Sequence, residues 1–185
     1  MELMRQAVPG RAHRKAIARC RVIGQPVVMQ IRSARPGDGY SIAELNWAVH
    51  DLHVAARPDI FRSHPDLLEL ASTFDQWIDD PDRVLLLAEE PPEQVGFLIA
   101  SYTHLPGHTL AYPASCLTID QIAVLPAHRR SRLGSALVRA ALDNAALRGV
   151  DRVDSSVWQF NADAQRFFRA EGFEATMQTM SIRLR

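Results

Sequence analysis

Residues 117–147 constrain this chain more than any other stretch. They read LTIDQIAV, then LPAHRRSRLGS, then ALVRAALDNAAL. The first piece is apolar enough for a strand and is interrupted by Asp120 and Gln121. The last piece is a helix pattern: Leu133, Ala136, Leu137, Ala140 and Ala141 share one face, and Ser135, Arg139 and Asp143 share another. Between them lies a tight connection carrying Arg129, Arg130 and Arg132, with Gly134 close to the helix's first turn. The first N–H groups of a helix have no internal partner, and the macrodipole places partial positive charge there. A phosphate can accept from those amides. The same residues also read as a solvated loop at an ordinary strand-to-helix junction, and spacing alone does not choose between the two.

Leu117 to Ser135 resembles motif A of the GNAT family of acetyl-CoA-dependent N-acetyltransferases, a strand followed by R-x-x-G-x-G/A at a helix start. Arg129 and Gly134 match the ends of that pattern, and Arg132 stands where the middle glycine is usual. Arg132 can still present its N–H from a helical backbone, whereas glycine would permit other values of φ. A second stretch, SSVWQFNADAQRFFRAEGF from Ser155 to Phe173, resembles the family's N-x-x-A-x-x-F-Y-x-x-x-G-F. Asn161, Ala164, Phe167, Gly172 and Phe173 fit, and Phe168 stands where tyrosine is usual. The two motifs occur in the family's order, and the resemblance extends more weakly over residues 29–185. It implies an α/β fold: a mixed, mostly antiparallel central sheet splayed between strands 4 and 5, with helices on both faces.

The resemblance also implies roles. Acetyl-CoA is the cosubstrate and no metal is called for. The backbone of Ile122, Ala123 and Val124 would bind the pantetheine amide and polarise the thioester. The amides from Arg129 or Arg130 through Ser131, Arg132, Leu133, Gly134 and Ser135 would take the pyrophosphate. Asn161 would contact the pantetheine arm, and Phe168 would pack against the coenzyme. His53, Arg57 and Trp158 are the candidates for the acceptor pocket. His50 and His53 read equally as half-buried helix residues, and no third ligand beside them suggests a metal.

Asp120 stands where several family members carry an acid. With an ordinary pKa near ~3.9 it is ionised at neutral pH. It reads as a general base acting directly or through water, or as a group that only tethers a neighbouring loop or orients substrate. Phe168 removes the usual general acid, since a phenyl ring donates no proton. Tyr40, Tyr102 and Tyr112 are the only tyrosines, and nothing in the sequence brings one there. A thiol with an ordinary pKa near ~8.5 is a tolerable leaving group without such help. Two functions therefore stand. One is acetyl transfer to a primary amine of a small molecule or a protein N-terminus. The other is a degenerate domain that binds acyl-CoA or a partner without turnover.

A length of 185 residues suits one domain. Zero net charge gives no overall basic field for nucleic acid. The charge is uneven, because residues 1–28 carry a net +5 and the remainder carries −5. Residues 1–28 lack the apolar core of a secretory signal and read as a poorly ordered basic extension. Met29 precedes the first domain-like pattern and reads as the natural start of a domain over residues 29–185. A nucleic-acid contact through the basic arm is the remaining alternative for that segment. Cys20 and Cys116 have no metal spacing and suit a reducing cytoplasm. No apolar run approaches the ~18 residues needed to span a bilayer, so no membrane partner is expected. The expected partner is the amine acceptor, with room for a homodimer.

Along the chain, residues 27–33 read as a strand. Ser41 and Glu44 have capping-box spacing for a helix with Ile42, Leu45, Val49, Leu52 and Ala56 inward, ended by Pro58. Residues 65–78 read as a second helix with Leu67, Leu68, Leu70, Ala71, Phe74 and Trp77 on its apolar side. A hairpin follows over 84–88 and 95–102, then a mobile loop containing His104 and His108. After the central strand and helix come a strand over 152–158, a short helix capped by Asn161, and a final alternating strand over 176–184.

Overall fold

The computed structural model describes residues 29–184; the basic extension and its boundary at Met29 lie outside the described residues or at their edge. The elements are β1 (Gln30–Ser33), α1 (Gly39–Ala56), α2 (Leu67–Ile78), β2 (Arg83–Glu90), β3 (Glu93–Leu105), β4 (Ala114–Val124), α3 (Leu133–Arg148), β5 (Arg152–Ser155) and α4 (Ala162–Ala170). The five strands form one sheet in sequence order. Each neighbouring pair is antiparallel except β4 and β5, which run parallel.

Alternation along the strands divides the core into two layers. From β2, Val84, Leu86 and Ala88 face α3, where Leu133, Leu137, Val138, Ala141 and Ala145 are buried, together with Phe168 of α4. Leu85 and Leu87 face the other way, against Ile42, Ala43 and Leu45 of α1 and Ala71 and Phe74 of α2. The mixed sheet with helices on both faces is thus the observed architecture.

Several local expectations change. α1 begins at Gly39 rather than at a Ser41 cap. Asp38 holds the N-cap position, but its carboxylate accepts from Arg32 (2.6 Å) and from the Arg35 N–H (2.7 Å). That ion pair holds the Asp38 carboxyl below its ordinary range. Leu52 and Ala56 are exposed, and the α1 side chains turned to the cleft are instead Asn46, His50 and His53. Leu68 and Ala136 are also exposed, so the buried stripes of α2 and α3 are narrower than their spacing suggested. β3 and β4 run longer than expected and draw His104 into the ladder opposite Ser115. The ring Nδ1 of His104 lies 2.9 Å from the Ser115 hydroxyl, which replaces the expected mobile loop at that point. β5 stops at Ser155, and residues 176–184 form no strand. Their apolar members Met177, Met180, Ile182 and Leu184 are exposed.

The parallel pairing of β4 with β5 covers only Cys116–Ile119 against Arg152–Ser155. Immediately beyond it, the β3–β4 register slips: Ala100 faces Ile119 and Ile99 faces Gln121, leaving Asp120 as the extra residue. Such a bulge bends the strand and re-aims its side chains. The two strands part at that point.

Candidate active site

The gap between β4 and β5 opens into a cavity of about 210 Å³. Its lining includes Asp120, Gln121 and Ile122 of β4, Ser155 to Trp158 after β5, Asn161 and Phe168 of α4, and Asn46, His50 and His53 of α1. Because of the bulge, Asp120 and Gln121 both turn toward the α1 side. The Asn46 amide donates to the Gln121 side-chain oxygen there. Asp120 still meets solvent by its surface area, yet the strand ends crowded round its carboxyl push its proton affinity up. A hydrogen bond from Ser101 and the charge of Arg83 oppose that shift in part.

Of the acceptor candidates, His53 and Trp158 line this cavity and Arg57 lies over Trp158 outside its lining. The Arg57 guanidinium lies 5.6 Å from the centroid of the Trp158 ring. His53 packs against Phe61 and Phe160 at 5.1 and 5.7 Å between centroids. Phe61 meets Trp158 edge-on at 5.5 Å. Phe61 is not among the candidates drawn from the sequence; a large aromatic beside the polar residues of FRSHP is the signal that could have found it. Arg57 also makes two hydrogen bonds to Asp59, at 2.9 and 2.8 Å, and holds that carboxyl well below its usual range.

The second half of the site lies where β4 leads into α3. A short 3₁₀ turn, Pro126–His128, is held by the His128 ring Nδ1, 2.7 Å from a Glu90 carboxylate oxygen. The Ser131 hydroxyl donates to the His128 carbonyl. From there, Arg130 and Arg132 take left-handed backbone conformations, with φ of 65° and 67°. Arg132 thus does not take the helical φ open to it; it occupies the conformation that glycine takes freely. Among the described residues, the backbone N–H groups from Arg130 to Ser135 find no acceptor in the protein. The loop and the first turn of α3 thus aim a run of amides outward, with Arg129, Arg130 and Arg132 exposed around them. This is an anion-binding arrangement.

Gly134 is explained by packing. A Cβ there would lie 3.2 Å from Cε2 and Cζ of Phe167, so its absence lets α4 approach the N-terminus of α3. The Ser135 hydroxyl donates to Glu171 at 2.6 Å across the same junction, leaving its N–H available. Asn161 caps α4, its side-chain oxygen accepting from the Ala164 N–H at 3.1 Å, while the residue also lines the cavity. Phe168 is buried between the core and the cavity, edge-on to Phe173. On β4, Ile122, Ala123 and Val124 pair with β3 on one side and have no strand partner on the other. The Arg129 side chain donates to the Val124 carbonyl at 3.3 Å. No cluster of three or more His, Cys, Asp or Glu suited to a metal occurs among the described residues.

Left-handed backbone at a non-glycine residue is disfavoured by about 1–2 kcal/mol. Arg132→Gly removes that strain and partly offsets it by loosening the unfolded chain. We expect the melting temperature to rise by about 2–4 °C if about 1 kcal/mol is recovered. Differential scanning calorimetry on the variant checks this, and a fall in melting temperature would contradict the strain.

A parallel edge that splays beside an amide-lined helix entrance defines a fold class, and comparison with known proteins agrees. The family model described as Acetyltransferase (GNAT) family matches residues 46–173. The chain belongs to the GNAT acetyltransferase family. Among solved structures, a tetramutant of the BH1408 protein from Bacillus halodurans is similar at a TM-score of 0.77 and 25% identity, covering 84% of this chain and 99% of that one. A transcriptional regulator from Bacillus halodurans C-125 is similar at 0.68 and 23%, covering 85% and 100%. The aminoglycoside N-acetyltransferase AAC(6')-Iy, solved in complex with CoA, is similar at 0.68 and 19%, covering 89% and 99%. No curated protein matches the chain in sequence.

Proposed function

We propose that the protein is an acetyl-CoA-dependent N-acetyltransferase that acts on a primary amine by direct attack. One observation carries this reading: the outward-facing amides from Arg130 to Ser135 and the cavity beside Asp120 sit at opposite ends of one unpaired stretch of β4. When bound, acetyl-CoA supplies an acyl thioester whose carbonyl the amine attacks. The chain's residues do the rest. The amides and flanking arginines hold the diphosphate. The unpaired backbone of Ile122 to Val124 aligns the pantetheine arm and donates to the thioester oxygen. Asp120 takes a proton from the acceptor ammonium, directly or through water. Positioning of both reactants in one cleft is worth up to ~7–11 kcal/mol of barrier. The complex of AAC(6')-Iy with CoA supports the choice of coenzyme.

The experiment has two steps. Calorimetry with acetyl-CoA tests binding, and a thiol-release assay over a panel of amines tests transfer. Binding without release from any amine would favour a degenerate domain, the reading supported by Phe168 at the tyrosine position. Absence of binding removes both readings.

Phe168 gives a further expectation. Phe168→Tyr supplies a hydroxyl at the cavity face of α4, where a leaving thiolate could be protonated. A general acid contributes at most ~10²–10⁴-fold, and a thiolate needs little help, so the rise in kcat should stay near ~3- to 10-fold. Steady-state kinetics between pH 7 and 9 reads this out. An unchanged kcat in a stable variant would mean that thiolate departure does not limit turnover.

A further inference from the structure

We propose that the acceptor is a monocationic amine with a flat apolar body, an arylalkylamine, its ammonium toward Asp120 and its ring against His53, Phe61 and Trp158; this rests on the acetyltransferase reading above.

The charge of the cavity comes first. Among the described residues lining it, Asp120 is the single carboxylate, and no Lys or Arg is present. Asn46, Gln121 and Ser155 add uncharged polar groups to the lining, and His50 and His53 add two imidazoles. Asp59, the nearby acid on the loop after α1, is taken up by Arg57 and by Arg183, the latter at 2.5 Å. An acceptor with one ammonium therefore finds one anion. Each further ammonium would be desolvated with no counter-charge, which is strongly disfavoured.

The shape and surface come second. About 210 Å³ is small beside the ~300–1,000 Å³ of drug-sized ligand sites. The cavity that holds Asp120 is also lined by aromatic side chains that are already assembled. His53, Phe61 and Trp158 touch edge-on or tilted, and Phe160 backs them, stacked on Trp158 at 5.8 Å. Arg57 lies over Trp158, and its bonds to Asp59 fix it there. A rigid wall of this kind receives a planar ring without having to order new side chains. A sugar-based polycation would leave that wall dry and unpaired.

The transfer balances with these groups alone. The acceptor ammonium gives up one proton to Asp120 or solvent, and the freed lone pair forms the C–N bond. The C–S bond breaks, the sulfur leaves with that bond's electron pair, and the nitrogen's second proton passes to the thiolate or to solvent.

The test is a thiol-release assay on the full chain with 2-phenylethylamine, n-butylamine, spermidine and kanamycin, beside a Trp158→Ala variant. We expect kcat/KM for 2-phenylethylamine to exceed each of the others by about tenfold or more, the discrimination that added apolar contact provides. The ratio of 2-phenylethylamine to n-butylamine should fall about tenfold in Trp158→Ala. Parity between those two amines, or preference for spermidine or kanamycin, overturns the acceptor class and leaves acetyl transfer standing. Thiol release from none of the four, with acetyl-CoA bound, overturns both.

Discussion

Gly134→Trp abolishes coenzyme binding: acetyl-CoA titrated into the variant gives no saturating heat where the parent saturates, a loss above about a hundredfold. A Cβ at this position already lies 3.2 Å from the Phe167 ring. An indole must therefore push α4 away from the start of α3 or swing across the amides from Arg130 to Ser135. Both outcomes spoil the anion site. Hydrogen bonds to charged groups contribute ~1.5–3 kcal/mol each, so losing two suffices for about a hundredfold at 1.4 kcal/mol per decade. Overpacking typically destabilises by ~1–3 kcal/mol against a total of ~5–15, so the domain should still melt cooperatively. Gly134→Ala bounds the effect from below, because the Phe167 ring need yield only by a few tenths of an ångström. Parent-like affinity in a folded Gly134→Trp protein would mean that the diphosphate binds elsewhere.

What was legible before the structure rested on local interactions. The α3 helix, its stop at Gly149 and the Asn161 cap depend on 3.6-residue spacing, a left-handed residue (φ 65°) and one side-chain bond to a nearby N–H. Each is encoded within a few residues. Ser41 failed as a cap for a tertiary reason. Arg32 at the end of β1 and the Arg35 amide fix Asp38 ahead of it, the Asp75 carboxylate of α2 accepts from the Gly37 and Gly39 N–H groups, and the helix starts earlier. The end of the chain failed for another. Alternation at Met180, Ile182 and Leu184 says that one side of the segment is apolar, but a strand also needs an edge to pair with.

The site was legible in the same proportion. The βα junction offered its amides as anion-binding candidates through order and charge, and in the structure those N–H groups find no acceptor among the described residues. The family pattern then named the positions without giving the reasons for them. Gly134 was read through its amide and its place in the family pattern, and its Cβ position faces the Phe167 ring. Arg132 was read as able to present its N–H from a helical backbone, yet the loop gives it the conformation that the missing glycine would have taken. The aromatic wall was half visible. Trp158 lies about a hundred residues beyond His53 and Arg57 in the chain, and only the fold shows that Phe61 joins them.

Asp120→Asn carries the other large effect. If Asp120 is the base, kcat falls by ~10²–10⁴-fold while acetyl-CoA affinity stays within about twofold. Burial of its surroundings raises its proton affinity, so the acid limb of the parent's kcat/KM profile should lie above the ordinary carboxylate range and vanish in the variant. Stability gives an independent sign. A carboxyl whose folded pKa is raised holds its proton more tightly in the native state than in the unfolded one. Its stabilising contribution is present at low pH and is lost as pH climbs from the unfolded pKa through the folded one. At neutral pH the ionised Asp120 thus weighs against folding, and the neutral amide should melt at the same temperature or higher. A tether predicts the opposite combination, because removing an anchor lowers melting temperature and coenzyme affinity along with turnover. Activity lost together with stability would assign Asp120 to the scaffold, and activity lost while stability holds would assign it to the proton.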